Sequence, residues 1–269
     1  MLLILCLPLI GYCLVQLMQH YYAFNTPLFM FINGSNIGPE WLWQDITFLG
    51  DGLPAYVLMI FLCRNNARLL WVGLIAALLI GVVIQIGKPL FDVVRPAMIL
   101  GEGQIHIIGQ TLRLHSFPSG HSATAFIMAG ILAQVLPKNL KWPLVIGAVL
   151  IAWSRVKVGA HWPSDVVLGS LIGWQLAYLA LYIANRTPSI GHTPRSQVFL
   201  YGFAAICAIV LWTHNGGYPL AAPLAHTLSL FGLGYLALIA YQRDLLRSNK
   251  VQLFFAAFKP NRANTHKNS

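Results

Sequence analysis

Residues 69–87, LLWVGLIAALLIGVVIQIG, form the stretch of sequence that decides the fold class. This run carries no charged residue, and Gln85 is its one strongly polar side chain. A helix of roughly 20 apolar residues is long enough to cross the hydrocarbon core of a bilayer. The stretch therefore predicts a transmembrane helix.

The composition of the whole chain agrees with that prediction. Hydrophobic residues make up 57% of the 269 positions and charged residues only 9%, whereas a soluble domain carries about a quarter charged residues. So few charges leave too little polar surface to cover a soluble globule, so the excess apolar surface must face lipid. The predicted fold is an all-α, polytopic membrane helix bundle.

Seven other apolar runs are also predicted to span the membrane, which makes about eight spans in total: 2–18, 46–63, 122–136, 142–158, 166–184, 198–213 and 224–241. The first run is interpreted as an uncleaved span, because no Lys or Arg precedes it and no small-x-small cleavage site follows. The second run is interrupted by Gly50, Asp51, Gly52 and Pro54. A six-span core at 1–185, two additional helices at 186–242 and a basic, flexible tail at 243–269 are expected.

The positions of Lys and Arg predict the orientation of these spans. If the N-terminus is inside and eight spans alternate, the outer side holds only five of the 17 basic residues: Lys88, Arg95, Arg113, Arg155 and Lys157. Cytoplasmic loops are enriched in Lys and Arg, so both termini are predicted to be cytoplasmic. The net charge of +10 would suggest nucleic-acid binding in a soluble protein. Here it is interpreted as a topology signal, and membrane lipids are the expected partners, with no nucleic acid.

Three short groups of residues stand at the predicted outer ends of spans three to six. The first runs from Lys88 to Arg95-Pro96, the second is Pro118-Ser119-Gly120-His121, and the third is Ser154-Arg155 followed by His161 and Asp165. A single cation at such a position is usually an interfacial anchor. Charged groups at the end of a span are costly unless they are paired or solvated. Their joint occurrence on one side of the membrane indicates a site.

Each group suits phosphate chemistry. Ser119 is expected to cap the fourth predicted span, which leaves the backbone N–H groups of Gly120 and His121 facing outward as an anion site. Gly120 permits close approach of a phosphate oxygen because it has no Cβ. The cations Lys88, Arg95 and Arg155 can neutralise a phosphate dianion.

The two histidines are expected to divide the chemistry. If a helix begins at Pro163, Asp165 can reach one ring nitrogen of His161 and make the other a better nucleophile. His121 is then available to protonate the leaving oxygen. The rate is expected to fall at low pH as His161 becomes protonated.

These residues resemble the type-2 phosphatidic acid phosphatase superfamily, the lipid phosphate phosphatases. The family signature is Lys-x6-Arg-Pro, then Pro-Ser-Gly-His, then Ser-Arg-x5-His-x3-Asp, and this chain matches every defining position within about residues 45–185. The resemblance implies that His161 is the nucleophile, Asp165 its orienting partner and His121 the acid. It also implies a phosphate cradle formed by Lys88, Arg95, Ser119, Gly120 and Arg155.

The function implied is a phosphatase that acts through a phosphohistidine at the outer face of the inner (plasma) membrane, without metal or other cofactor. The expected substrate is a lipid phosphate of the undecaprenyl diphosphate or phosphatidylglycerol phosphate type. Alternatives are a lipid phosphotransferase or lipid A phosphatase, and a non-enzymatic transporter or scaffold. A zinc site from His121, His161 and Asp165 is disfavoured because three cations would repel the metal. A soluble haloperoxidase is disfavoured by the spans. The oligomeric state is left open.

Other polar residues of the outer loops receive weaker assignments. Lys157 and Arg113 are candidate contacts for a second phosphate, and Ser154 is assigned to either helix packing or ligand contact. His106 and His115 are interpreted as solvated, and His214 as interfacial. The loop at 214–218, which belongs to the C-terminal extension beyond the family core, has no assigned chemistry.

Overall fold

The computed structural model describes residues 20–63 and 66–247, with side chains to residue 243. Within these ranges the chain is all helical and contains no β-strand. The α-helices are α1 Tyr21–Asn33, α2 Glu40–Phe48, α3 Gly52–Cys63, α4 Arg68–Phe91, α5 Pro96–Leu100, α6 Gly120–Val135, α7 Lys141–Lys157, α8 Pro163–Arg186, α9 Pro194–Leu211 and α10 Ala222–Arg247. The predicted first span at 2–18 and the predicted tail beyond residue 247 lie outside the described residues.

Four stretches among the described residues are long and apolar enough to cross a membrane: Arg68–Leu100, Pro163–Arg186, Pro194–Leu211 and Pro219–Arg243. A fifth is reached if α2 and α3, which meet at a 70° bend, count as one broken span. The bend falls where Gly50 and Asp51 interrupt the apolar run. Helices α6 and α7 are shorter than a typical span. The predicted number of eight spans is therefore not reached by this criterion.

The outer faces of the long helices are apolar, as expected of a multi-pass membrane protein. On α4, Leu78, Val82 and Ile86 recur every four residues and are 58–62% exposed, so they form one stripe along the helix. On α8, Val167 and Leu171 form a similar stripe. Such stripes are stable where lipid, rather than water, surrounds them.

Helix α8 packs most closely against α6, and two glycines make this contact possible. A Cβ atom on Gly169 would collide with the carbonyl oxygen of Ser119, and one on Gly173 would collide with that of Ala123. The backbones thus approach to a distance that only glycine permits. This contact joins the start of α6, with Ser119, to the first turns of α8, with Asp165.

Two long segments that join the longer apolar helices contain short helices themselves. Residues 20–45 contain α1 and most of α2. Residues 88–117 contain the end of α4, helix α5 and one 3-10 turn, Glu102–Gln104. The additional helices α9 and α10 pack against each other and against α3, so the C-terminal extension contacts the helix that follows the bend.

Candidate active site

His161 and Asp165 form a buried pair at the start of α8. Helix α8 begins at Pro163, and His161 Nδ1 lies 3.2 Å from Asp165 Oδ2. A carboxylate accepts, so this contact assigns the proton to Nδ1 and leaves the lone pair on Nε2. Burial and the charges of Arg95 and Arg155 hold the pKa of His161 well below its ordinary value, which favours the neutral imidazole.

Asp165 is completely buried and is held by donors from three other parts of the chain. Tyr21 donates its hydroxyl to Oδ1, while Ser116 donates its hydroxyl to Oδ2. The backbone N–H of Trp162 donates to Oδ2 at 2.8 Å. With His161, four donors fix this carboxylate, so it can orient the imidazole without moving.

Arg95 is a second neighbour of His161, and the protein itself occupies most of its donors. Its Nε donates to the carbonyl of Leu114 at 2.8 Å, its Nη2 to that of His115 at 3.3 Å, and its Nη1 to that of Ala160 at 2.7 Å. The same Nη1 lies 3.3 Å from His161 Nε2. Arg95 therefore connects the loop before Pro118 to the loop before α8 and also places a positive charge beside Nε2 of His161.

The start of α6 has the geometry of an anion site. Ser119 is the N-cap, and its hydroxyl accepts from the N–H of Ser122 at 3.4 Å. His121 lies in the first turn, and its Nε2 is buried without a hydrogen-bond partner. Such an unpaired atom is costly in a finished structure, which indicates that His121 faces a position that a ligand fills.

Arg155, at the end of α7, also has unused donors. Its Nη1 donates to Thr47 Oγ1 at 2.6 Å and to the Tyr218 hydroxyl at 2.5 Å. Its Nε is buried and unpartnered. The edge formed by Nε and Nη2 is the fork that binds two phosphate oxygens at once. Arg155 thus presents an unused fork while its other nitrogen is held in place.

The histidines and cations surround one region. Lys88, Arg95 and Arg155 act electrostatically on both His121 and His161. Gly120 and His121 line a cavity of about 260 Å³ whose other walls are mainly apolar side chains and glycines of α3, α4 and α6. All eight residues predicted from the sequence therefore lie around a polar centre that continues into an apolar cavity.

Two of the weaker assignments are not supported by the geometry. Lys157 donates to the backbone carbonyls of Asn33, at 2.9 Å, and Ser35, so it ties α7 to the end of α1. Arg113 is exposed and pairs with Glu102 at 2.7 Å. These contacts hold both cations away from a second phosphate. Ser154 is buried and donates to the carbonyl of Ile151 at 2.6 Å within its own helix, which agrees with helix packing rather than ligand contact.

The loop histidines pair with carboxylates on neighbouring segments. His106 lies 2.8 Å from Glu40, His115 lies 3.4 Å from Asp92, and His214 lies 3.1 Å from Asp51. These histidines are thus partly exposed, as the sequence predicted for His106 and His115, and each also pairs with a carboxylate. His214 also belongs to the electrostatic surroundings of His121.

Sequence reasoning missed four residues that hold the site residues: Tyr21 and Ser116 on Asp165, and Thr47 and Tyr218 on Arg155. Ser116 stands two positions before Pro118, so its proximity to the second motif was a usable signal. The other three come from distant segments and had none. Within the described residues no group of three His, Cys, Asp or Glu side chains is arranged to hold a metal ion.

Comparison with known proteins places this site in a family. The PAP2 superfamily profile matches residues 66–189. The chain is 28% identical to an undecaprenyl-diphosphatase of Sulfolobus acidocaldarius, over 62% of this chain and 81% of that protein. It is 32% identical to a putative undecaprenyl-diphosphatase, YbjG, of Escherichia coli K12, over 55% of this chain and 77% of that protein. The crystal structure of Aquifex aeolicus LpxE aligns with 59% of this chain and 95% of its own, with a TM-score of 0.52 and 29% identity. This chain belongs to the PAP2 superfamily.

Proposed function

We propose that this protein is a membrane phosphatase that removes phosphate from a lipid through a phosphohistidine intermediate. The observation that carries the proposal is the pair of unpartnered buried atoms, His121 Nε2 and Arg155 Nε, beside the buried His161–Asp165 pair. Unpaired donors and acceptors cost free energy in the empty site, and a bound phosphoryl group would satisfy them. The family and the two undecaprenyl-diphosphatase relatives support the same activity.

The first chemical step transfers the phosphoryl group to His161. Its Nε2 lone pair attacks phosphorus, the bond from phosphorus to the leaving oxygen breaks, and His121 gives its proton to that oxygen. The proton on Nδ1 remains between His161 and Asp165, which stabilises the charge that develops on the ring. Arg155, Arg95, Lys88 and the N-terminus of α6 stabilise the negative charge on the other phosphate oxygens.

The second step returns the enzyme to its starting state. Water attacks the phosphorus of phosphohistidine, His121 accepts a proton from that water, and the bond between phosphorus and Nε2 breaks. Inorganic phosphate leaves and His161 is again neutral. Because three cations and backbone N–H groups carry the electrostatic stabilisation, no metal is required in this scheme.

We assign the lipid to the undecaprenyl diphosphate type in preference to the phosphatidylglycerol phosphate type. The names of two relatives that this chain matches over most of their lengths favour the diphosphate. The apolar cavity beside His121 suits a hydrocarbon chain whose head group lies among the cations. From the distribution of Lys and Arg along the sequence, we also propose that this head-group region lies at the outer face of the plasma membrane, with both termini cytoplasmic.

Phosphate release by the purified full chain in detergent micelles tests the proposal. We expect release from undecaprenyl diphosphate without an acceptor lipid, in the presence of a chelator, and slower release from phosphatidylglycerol phosphate. The matched control is His161→Asn. A rate in the variant equal to that of the wild type would contradict the mechanism, and transfer only to an added acceptor lipid would make the protein a phosphotransferase.

A further inference from the structure

The connection between α9 and α10, residues 212–221, reaches from the C-terminal extension to the centre of the site. Tyr218 in this connection is only 3% exposed, and its hydroxyl accepts a hydrogen bond from Arg155 Nη1 at 2.5 Å. The extension lies beyond the residues 66–189 that the family profile covers. A side chain from outside the family region thus contacts a residue of the family motif.

Tyr218 is built firmly into its place. The N–H of Gln110 donates to the carbonyl of Gly217 at 3.0 Å. Gly109 lies against the Tyr218 ring so closely that a Cβ atom there would collide with it. On the other side, the N–H of Leu220 donates to Gln44 Oε1 at 2.9 Å. The hydroxyl is therefore presented to Arg155 from a fixed backbone.

Tyr218 and Thr47 share one nitrogen of Arg155 between them. Thr47 Oγ1 accepts from Nη1 at 2.6 Å, and the Tyr218 hydroxyl accepts from the same atom. Both protons of Nη1 are then used, and both acceptors are almost fully buried. The Nε–Nη2 edge has no hydrogen bond to any residue in the described part of the chain, and its Nε is buried. The guanidinium is thus held at Nη1, while its Nε–Nη2 edge remains available to a ligand.

We infer that Tyr218, together with Thr47, is a positioning residue that aims the Nε–Nη2 edge of Arg155 at the phosphate. A bidentate pair requires the planar guanidinium to lie in the plane of the two phosphate oxygens. Two acceptors on Nη1 fix that plane, whereas one acceptor leaves the group free to rotate. The C-terminal extension is therefore part of the phosphate site. The inference rests on the proposed function, because it gives Arg155 a substrate to face.

The chain offers a matched control for Tyr218. Tyr201, on α9, also accepts a hydrogen bond from an arginine, Arg243 Nη2, at 3.2 Å. The guanidinium of Arg243 lies 4.8 Å from the Tyr201 ring centroid, and that of Arg155 lies 5.6 Å from the Tyr218 ring centroid. Tyr218→Phe and Tyr201→Phe therefore remove the same group from the same kind of contact in the extension, one at the site and one away from it.

The experiment measures two properties of the full chain: phosphate release from undecaprenyl diphosphate, and the rise in Tm caused by orthovanadate, a phosphate analogue. For Tyr218→Phe and Thr47→Val we expect kcat/KM to fall about tenfold, the size of one lost hydrogen bond to a charged group. The affinity for vanadate should fall with it, while Tm without ligand stays close to that of Tyr201→Phe. Tyr201→Phe should match the wild type in rate and vanadate affinity.

A double-mutant cycle tests whether Tyr218 acts through Arg155. A lysine ammonium lacks the planar pair of N–H donors that Tyr218 would orient. In the Arg155→Lys background, Tyr218→Phe should therefore change the rate by no more than about twofold. An equal loss in both backgrounds, or a Tyr218→Phe variant that equals Tyr201→Phe in rate and vanadate affinity, would overturn the inference. If the wild type releases no phosphate from any lipid, the proposed function fails, and the vanadate measurement still decides the role of Tyr218.

Discussion

The two sides of the site differ in how completely the protein satisfies its own polar atoms. On the Asp165 side, four donors hold the carboxylate, and Arg95 is bound to three backbone carbonyls. On the Arg155 side, Arg155 Nε and His121 Nε2 are buried and unpartnered. In the proposed mechanism, the contacts around the nucleophile are complete before substrate binds, whereas those of the phosphate cradle are completed by the substrate. The protein alone therefore preorganises the proposed nucleophile, and protein and ligand together form the cradle.

The largest expected effect comes from removing the proposed nucleophile, His161, on the Asp165 side of the site. His161→Asn should lower phosphate release roughly 10⁴-fold or more, because the covalent step is lost. Initial rates measure the loss, and an alkaline quench with labelled substrate detects the phosphoryl group on the protein. His106→Asn, at an exposed histidine paired with Glu40, is the control. Label retained by the His161 variant would place the intermediate elsewhere.

The next largest effect concerns the proposed acid, His121, on the Arg155 side of the site. His121→Ala should slow release from a lipid phosphate by about 10²- to 10⁴-fold, because the leaving oxygen is no longer protonated. With p-nitrophenyl phosphate the loss should be much smaller, since nitrophenolate departs without a proton. Comparing kcat/KM on the two substrates measures the difference, because this ratio reports the step in which the leaving group departs and not the later hydrolysis, in which His121 acts as the base. Equal losses on both would mean that His121 binds phosphate and is not the acid.

The two arginines give the most direct comparison of the two sides. Arg155→Lys should lower kcat/KM about 10- to 100-fold, because the Nε–Nη2 edge that faces substrate is lost. Its loss of stability should be smaller than that of Arg95→Lys, because two hydroxyls rather than three backbone carbonyls lose their donor. Arg95→Lys should also lower the free energy of unfolding by about 2 kcal/mol, because it leaves buried carbonyls unpaired. Thermal unfolding in detergent and initial rates, measured on both variants, separate the effects. A larger loss of stability in Arg155→Lys would reverse the comparison.

The smallest effect is that of mild acid on the wild type. Burial and nearby cations lower the pKa of His161, so its imidazole stays neutral at pH values below the ordinary pKa of histidine. Activity should be lost only as the pH falls through the lowered pKa. We therefore expect no loss of kcat as the pH falls from 8 to the ordinary value of 6.5, and a loss below it. Protonation of His121, which acts as the acid, can only raise kcat over the same range, because its pKa is lowered as well. Asp165, Arg95, Arg155, His121 and Lys88 are the charged groups that face His161. Substrate ionisation must be measured separately, and a fall centred above pH 6.5 contradicts this prediction.

The sequence predicted those parts of the site that depend on local spacing. The interval of four residues between His161 and Asp165, with a helix starting at Pro163, was enough to place the carboxylate on the imidazole. The cap by Ser119 followed in the same way from the apolar run after it. The all-helical class followed from the apolar composition and from apolar runs of about 20 residues, because a helix of that length crosses the bilayer and satisfies its own backbone groups in lipid.

Contacts between distant segments could not be predicted in this way. Lys157 and Arg113 were assigned to phosphate because they are cations on the correct side, but carbonyls and Glu102 occupy them. Tyr21 and Tyr218 reach the site from opposite ends of the chain, and neither carries a local pattern. The predicted count of eight spans is not confirmed, because the described residues supply four or five helices long and apolar enough to cross a membrane. Helices α6 and α7 are too short to be counted, and the run at 2–18 lies outside the described residues.

The close contact of α8 with α6 at Gly169 and Gly173 sets the distance between the two halves of the proposed site. Ser119 begins α6, and Asp165, which orients the His161 imidazole, lies in the first turn of α8. The N–H of Ser119 donates to the carbonyl of Asp165 at 3.1 Å. The distance from the proposed phosphate site to His161 therefore depends on how closely the two helix backbones approach. A methyl group added at either glycine would push the two helices apart and so increase the distance between the phosphate site and His161, although every reacting side chain would be unchanged.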